Sequence, residues 1–277
     1  MRWKILLRSK LGIPGLIVFG FFVLLAISGP YISPKNPFQQ NLRAMNAPPG
    51  TPGYVLGADE LGRDILSRII HGARMTLGLA GLSLVVALVF GVPAGVAAGY
   101  YGGWIDNLIM RANDALLAVP RFLVAIVIVA LYGIRYETLV LATGIGLIPD
   151  FARIVRSSTL TLVEREFVMA AKAMGARDAT IMRRHILPNA VGPIIVQASF
   201  GLGSGVLIIG GLSFLGLGVQ PPTPEWGSML SQGRRLMVAA PHLILWPGIA
   251  LSLAVLSVNV LGDALRYAYD PRFRGMD

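Results

Sequence analysis

Three sets of side chains could carry chemistry, and their spacing decides what each can do. Ser204 and Ser213 stand upstream of His242, so an intramembrane serine hydrolase would draw its nucleophile and base from them. Ser204 lies in Gly201-Leu202-Gly203-Ser204-Gly205 and Ser213 in Gly211-Leu212-Ser213-Phe214-Leu215. Neither is the G-x-S-x-G turn that presents such a nucleophile. Small helix-packing serines and an interfacial histidine after Pro241 are the simpler reading, and the hydrolase stays as the enzyme alternative. The histidines His71, His185 and His242 are far apart and form no H-E-x-x-H pair, so no metal is expected on this chain. The lysines Lys4, Lys10, Lys35 and Lys172 stand in no glycine-rich phosphate cradle, so ATP is not expected to bind here, and no cofactor is.

Asp114 and Asp150 are the acids expected within or near the bilayer, where an ionisable group is costly, and both fall towards the inner ends of their spans, where water and head groups reach. Arg111, Arg121 and Arg153 are close enough in sequence to pair with them, and pairing is favoured over substrate contact. No chain of polar residues crosses the apolar segments, which argues against a self-sufficient proton-driven transporter, the second alternative.

The segment 161–188 is patterned like two short soluble helices. Thr161 and Glu164 fit a capping box, Phe167, Ala171 and Met174 make an apolar face, and Gly175 supplies a stop. Asp178 suits the start of a second helix, which runs through Ile181 and Arg184 to Pro188. Small Ala170 and Ala171 beside Arg165, Lys172 and Arg177 suit a grip by another protein; a basic loop on anionic lipid head groups is the equal alternative.

Composition sets these residues in a membrane. Of 277 residues, 55% are hydrophobic and 14% charged, against the roughly 25% charged residues of soluble domains. Mean hydropathy is +0.67, with 33 glycines and 18 prolines. The absence of cysteine excludes disulfides and thiolate chemistry. The net charge of +10 is dispersed between apolar segments, so nucleic acid is not expected as a partner.

Stretches free of Asp, Glu, Lys and Arg run from Leu11 to Pro34, Met75 to Ile105, Ile186 to Pro224 and Leu236 to Gly262. Weaker spans run from Ala112 to Gly133 and Tyr136 to Val155. The expected fold class is therefore an all-α integral membrane protein with six transmembrane helices. Arg2, Lys4, Arg8 and Lys10 precede a first apolar run too long for a signal peptide, so that helix is read as uncleaved. With both termini cytoplasmic, 16 of the 24 Lys and Arg fall inside, as the positive-inside rule favours.

The organisation expected is 1–34 for the amino terminus and first helix, 35–74 for an external loop, and 75–277 for a five-helix core. In the loop, Leu61, Ile65, Leu66, Ile69 and Ile70 alternate at helical spacing with Asp59, Arg63, Asp64, Arg68 and Arg74, which predicts an amphipathic helix along the interface. Ser83, Ala87, Gly91, Gly95 and Gly99 recur every fourth residue, and Gly201 and Gly205 repeat the theme, which predicts close helix packing.

Ala170-Ala171, Gly175 and His185-x-Leu187-Pro188 resemble the E-A-A-x(3)-G-x(9)-I-x-L-P motif in the membrane subunits of bacterial ABC importers. Met169 and His185 stand where that motif has glutamate and isoleucine. Further stretches are similar to the peptide and nickel branch, in particular the C-type permeases of dipeptide and oligopeptide importers. They are Leu56 to Asp64 with Ser67-Arg68, Tyr101 to Trp104, Leu212 to Gly218, Pro224 to Gly227, and Leu261 to Arg266 with Asp270-Pro271-Arg272.

The resemblance implies a type I importer permease fold in the bacterial inner membrane. It implies ATPase-coupling helices within 161–188, carried by Arg165, Phe167, Ala170, Ala171, Met174, Gly175, Arg177, Asp178, His185, Leu187 and Pro188. Implied partners are a second permease, two cytoplasmic ATPases holding ATP and Mg, and an external solute-binding protein. The implied substrate is a dipeptide or oligopeptide, with nickel chelates or glutathione as alternatives.

Overall fold

A computed structural model describes residues 12–269. The expectations on Arg2, Lys4, Arg8, Lys10 and Asp270-Pro271-Arg272 lie outside the described residues. The described chain is helical, with two isolated backbone bridges in the external loop. Its helices are α1 (Gly12–Ile32), α2 (Ile65–Tyr101), α3 (Gly103–Leu117), α4 (Arg121–Tyr132), α5 (Tyr136–Val163), α6 (Glu166–Ala173), α7 (Asp178–Ile181), α8 (Leu187–Phe214), α9 (Trp226–Gly233) and α10 (His242–Tyr269). Among them, α1, α2, α5, the continuous α7–α8 unit and α10 are long and apolar enough to cross a bilayer. The pair α3 and α4 makes a sixth candidate, broken by an 86° bend at residues 118–120.

The centre of the molecule is α2 laid against α5. A Cβ on Gly91 would fall 2.7 Å from Phe151 Cβ, one on Gly95 2.5 Å from the Ala152 carbonyl, and one on Gly99 2.7 Å from Thr159 Cβ. On α5, Gly144 gives Val86 the same room, at 2.7 Å. Glycine is needed at these crossings because any side chain would separate the backbones. Helix α8 closes the third side, with Gly201 near Leu84 and Phe151 and Gly205 near Ala80. Leu79, Ala80, Val129, Leu139, Val206, Ile209 and Leu212 fill the space between. Helix α1 rides on α10 through Gly15 against Val260.

Four local expectations are corrected. The second span begins at Ile65, not Met75, and no separate surface helix precedes it. Arg68 does not interrupt the helix because it is buried on fixed acceptors, the Asp59 carboxylate and the Pro37 and Pro222 carbonyls. The third span is not one straight rod from 112 to 133 but the bent pair α3 and α4. Thr161 caps nothing: it sits in the last turn of α5 and donates to the Ser157 carbonyl, while α6 starts after Arg165. Finally, Pro188 does not end a helix. A π turn over 182–186, in which Leu187 N–H donates to the Met182 carbonyl, joins α7 to α8 without a break.

Candidate functional site

The segment 165–188 forms a helix, turn and helix on the end of the α2–α5–α8 bundle. Gly175 has φ +77°, its N–H donates to the Lys172 carbonyl, and Ala176 N–H donates to the Ala171 carbonyl. That is the Schellman ending, in which a left-handed residue satisfies the last carbonyls of a helix. Nothing lies within 4 Å of a Cβ placed there, so glycine is required by backbone conformation and not by space.

The buried face of α6 is Val168 and Ala171, which join Ile181, Ile186, Val96 and Val155 in one cluster. The expected face of Phe167, Ala171 and Met174 is corrected: Ala171 alone of these is buried, and Phe167 and Met174 are exposed. Counting by helical spacing picked the wrong stripe because apolar residues lie on both sides of this helix. Arg165, Ala170, Gly175, Arg177, Asp178 and Pro188 are exposed too, with His185 and Leu187 half-buried. The outer surface therefore presents Phe167, Met169 and Met174 within a rim of Arg165, Lys172, Arg177, Arg183 and Arg184. Tyr100 O–H donates to Asp178 Oδ1 at 2.7 Å, which ties the second helix to the end of α2. Phe167 and His185 approach to 6.3 Å between ring centroids.

At the opposite end, the stretches 56–68 and 224–227 come together. Asp59 Oδ2 accepts from Arg63 Nε at 2.7 Å and lies 3.3 Å from Arg68 Nε; Asp59 Oδ1 takes the Leu61 and Arg63 N–H groups. Arg63 continues to Gln232 Oε1 on α9 at 3.0 Å. Asp64 caps α2 by accepting from Ser67 N–H and Oγ. Glu225, fully buried, caps α9 by accepting from Gly227 and Ser228 N–H, and it takes the Thr76 hydroxyl at 3.0 Å. Burial raises its pKa, partly offset by those N–H donors and by the Ser213 and Thr76 hydroxyls. Trp226 Nε1 donates to the Ile69 carbonyl at 3.0 Å. Sequence reasoning quoted these stretches as motifs but missed that Glu225, Thr76 and Ser213 meet; an acid directly before a short helix was the available signal.

The serine and histidine of the hydrolase alternative go to different places. Ser213 Oγ accepts the Val219 N–H, Ser204 faces a concavity beside Arg121 and Asp150, and His242 packs on Gly57 near Trp246. Among the described residues no hydrogen bond joins either serine to the histidine. The intramembrane acids are paired: Asp150 with Arg121 at 2.8 Å and Asp114 with Arg153 at 2.6 Å.

These features coincide with two family matches. Residues 91–275 match the binding-protein-dependent transport system inner membrane component, and residues 1–49 the N-terminal transmembrane domain of oligopeptide transport permease C. The chain belongs to the family of binding-protein-dependent transport permeases. A dipeptide transport system permease protein DppC from Alkalihalophilus pseudofirmus is 44% identical over 98% of this permease and 89% of the relative. A glutathione transport system permease protein GsiD from Pectobacterium atrosepticum is 43% identical over 98% and 90%. The fold is shared with a solved methionine ABC transporter, MetNI, in inward-facing form: TM-score 0.59, 19% identity, 73% of this permease and 97% of that chain. This permease is thus the inner-membrane subunit of an ABC importer.

Proposed function

We propose that this permease carries dipeptides or short oligopeptides, works beside a second permease and an external solute-binding protein, and is driven by two cytoplasmic ATPases that dock on residues 165–188. The observation that carries the docking reading is the division of α6 and α7 into two faces. Val168, Ala171, Ile181 and Ile186 lock the segment onto α2 and α5, while Phe167, Met169 and Met174 stay exposed on the other side. A force applied to the outer face passes through the π turn into α8 without a flexible joint, and from α8 into the packed glycine crossings. ATP and Mg sit on the ATPases; the permease contributes positioning and a gated path. The peptide substrate is supported by the dipeptide relatives, and the similar identity of the glutathione relative keeps that peptide-like solute as the second reading.

The test is co-purification of the tagged permease from membranes, followed by an ATPase assay with binding protein and peptide. Recovery of two ATPases and a second permease, with hydrolysis stimulated by peptide-loaded binding protein, is expected. A chain recovered alone and monodisperse overturns the reading.

A further inference from the structure

The spanning helices carry one polar stripe that neither internal packing nor the docking segment uses. Asp150, Arg153 and Ser157 recur at i, i+3 and i+7 on α5, and Gln197, Phe200 and Ser204 do so on α8, so each set shares one helix face. With Arg121, the first residue of α4, they line an open concavity of about 450 Å3. Asp150 stands near the middle of α5, about 20 Å of helix from either end.

Much of the remaining exposed surface of these helices is apolar, as at Leu82, Val85, Val89 and Phe90 on α2, Leu207 on α8 and Leu256 on α10. Hydrocarbon suits those positions. It does not suit an Arg121–Asp150 pair whose side chains are 34% and 22% exposed, with an Arg153–Asp114 pair more exposed still. The stripe therefore faces water or polar protein. Arg121, Arg153 and Asp150 line the concavity and Asp114 holds Arg153 from its edge, so the four charges balance. Each guanidinium is engaged through one nitrogen on one carboxylate oxygen, which leaves most of its donors for a second anion.

We propose that this concavity is one half of a water-filled translocation pathway and that Arg121 and Arg153 favour solutes with a free carboxylate. The inference rests on the importer reading above, in which a second permease supplies the other wall. An incoming carboxylate takes the donors that Arg121 and Arg153 leave unused, while Asp150 and Asp114 keep theirs. The two resident carboxylates repel it, so the solute is recognised without being held.

The absence of cysteine from all 277 residues makes single-cysteine reporters clean. Ser157→Cys, Gln197→Cys and Ser204→Cys, with Leu207→Cys and Leu256→Cys as lipid-facing references, are placed in the assembled transporter. Labelling of this subunit is timed with two membrane-impermeant methanethiosulfonates, one anionic (sulfonatoethyl) and one cationic (trimethylammonioethyl). Labelling of the first three at least about tenfold faster than the references is expected, with the anionic reagent favoured at Gln197→Cys by a similar factor over its ratio at a free thiol. Adding Arg121→Gln should abolish that preference and Arg121→Lys should keep it.

Three reporters as slow as the references, in a complex that retains its ATPases, overturn the pathway and leave the importer reading standing. Fast labelling with no anionic preference, or one indifferent to Arg121→Gln, overturns the carboxylate selectivity. Failure to recover the ATPases overturns both readings before any labelling is done.

Discussion

At the scale of single residues, the largest electrostatic commitment is Asp59. Arg63 is 2% and Arg68 1% exposed, and one carboxylate answers both. Removing it strands two buried cations, so Asp59→Ala should cost about 3–5 kcal/mol. In a thermal melt of detergent-solubilised protein that is a fall of roughly 10 °C; a change under a third of that would mean water replaces the carboxylate. Glu225 behaves oppositely. Its folded pKa is raised, so between its ordinary pKa and the raised value the unfolded chain has released a proton that the folded chain retains. Stability from this group is therefore greatest on the acid side and falls as pH climbs through that window. The stability of wild type relative to Glu225→Gln should fall as pH climbs through that window; a relative stability that rises with pH would contradict the assignment.

At the scale of elements, tolerance is set by how closely two backbones approach. Gly95→Leu would drive a side chain into the Ala152 carbonyl and Val155, at 2.5 and 2.8 Å from the first carbon alone. The cost should be at least the 1–3 kcal/mol, approximately, of core overpacking, read as lower yield and a lower melting temperature. Gly175→Val meets no neighbour, but its φ of +77° costs a β-branched residue about 1–2 kcal/mol, concentrated in one turn. Global stability and assembly should survive, whereas uptake should be lost because the docking face is re-aimed. Unchanged uptake in a transport assay would count against docking through this turn.

At the scale of the whole molecule, orientation follows from charge and can be checked with the same cysteine-free background. Val55 lies in the loop after α1 and is 66% exposed; Met174 lies in the docking segment and is 81% exposed. Val55→Cys should react with an impermeant thiol reagent added to intact spheroplasts, and Met174→Cys only after the membrane is opened. The reverse pattern would invert the topology and place residues 165–188 beyond the reach of any cytoplasmic ATPase.

The amino-acid sequence by itself determined the membrane class, the number and approximate places of the spans, the packing stripe of Ser83 to Gly99 and the stop at Gly175. These depend on apolar run length, small-residue spacing and backbone freedom, all local properties of the chain. The tertiary structure alone decided which polar residues are buried and with whom. Arg63 and Arg68 read as a surface pattern because charge usually marks solvent, yet both are buried on Asp59, and Gln232, far along the chain, accepts from Arg63 as well. Met75 looked like the start of a span because Arg68 and Arg74 precede it, and burial of Arg68 moved that start to Ile65. Phe167 and Met174 looked like core because hydropathy cannot tell a face that packs within one chain from a face exposed for another. Likewise Asp150 and Ser204, over fifty residues apart, share a concavity only because α5 and α8 run side by side.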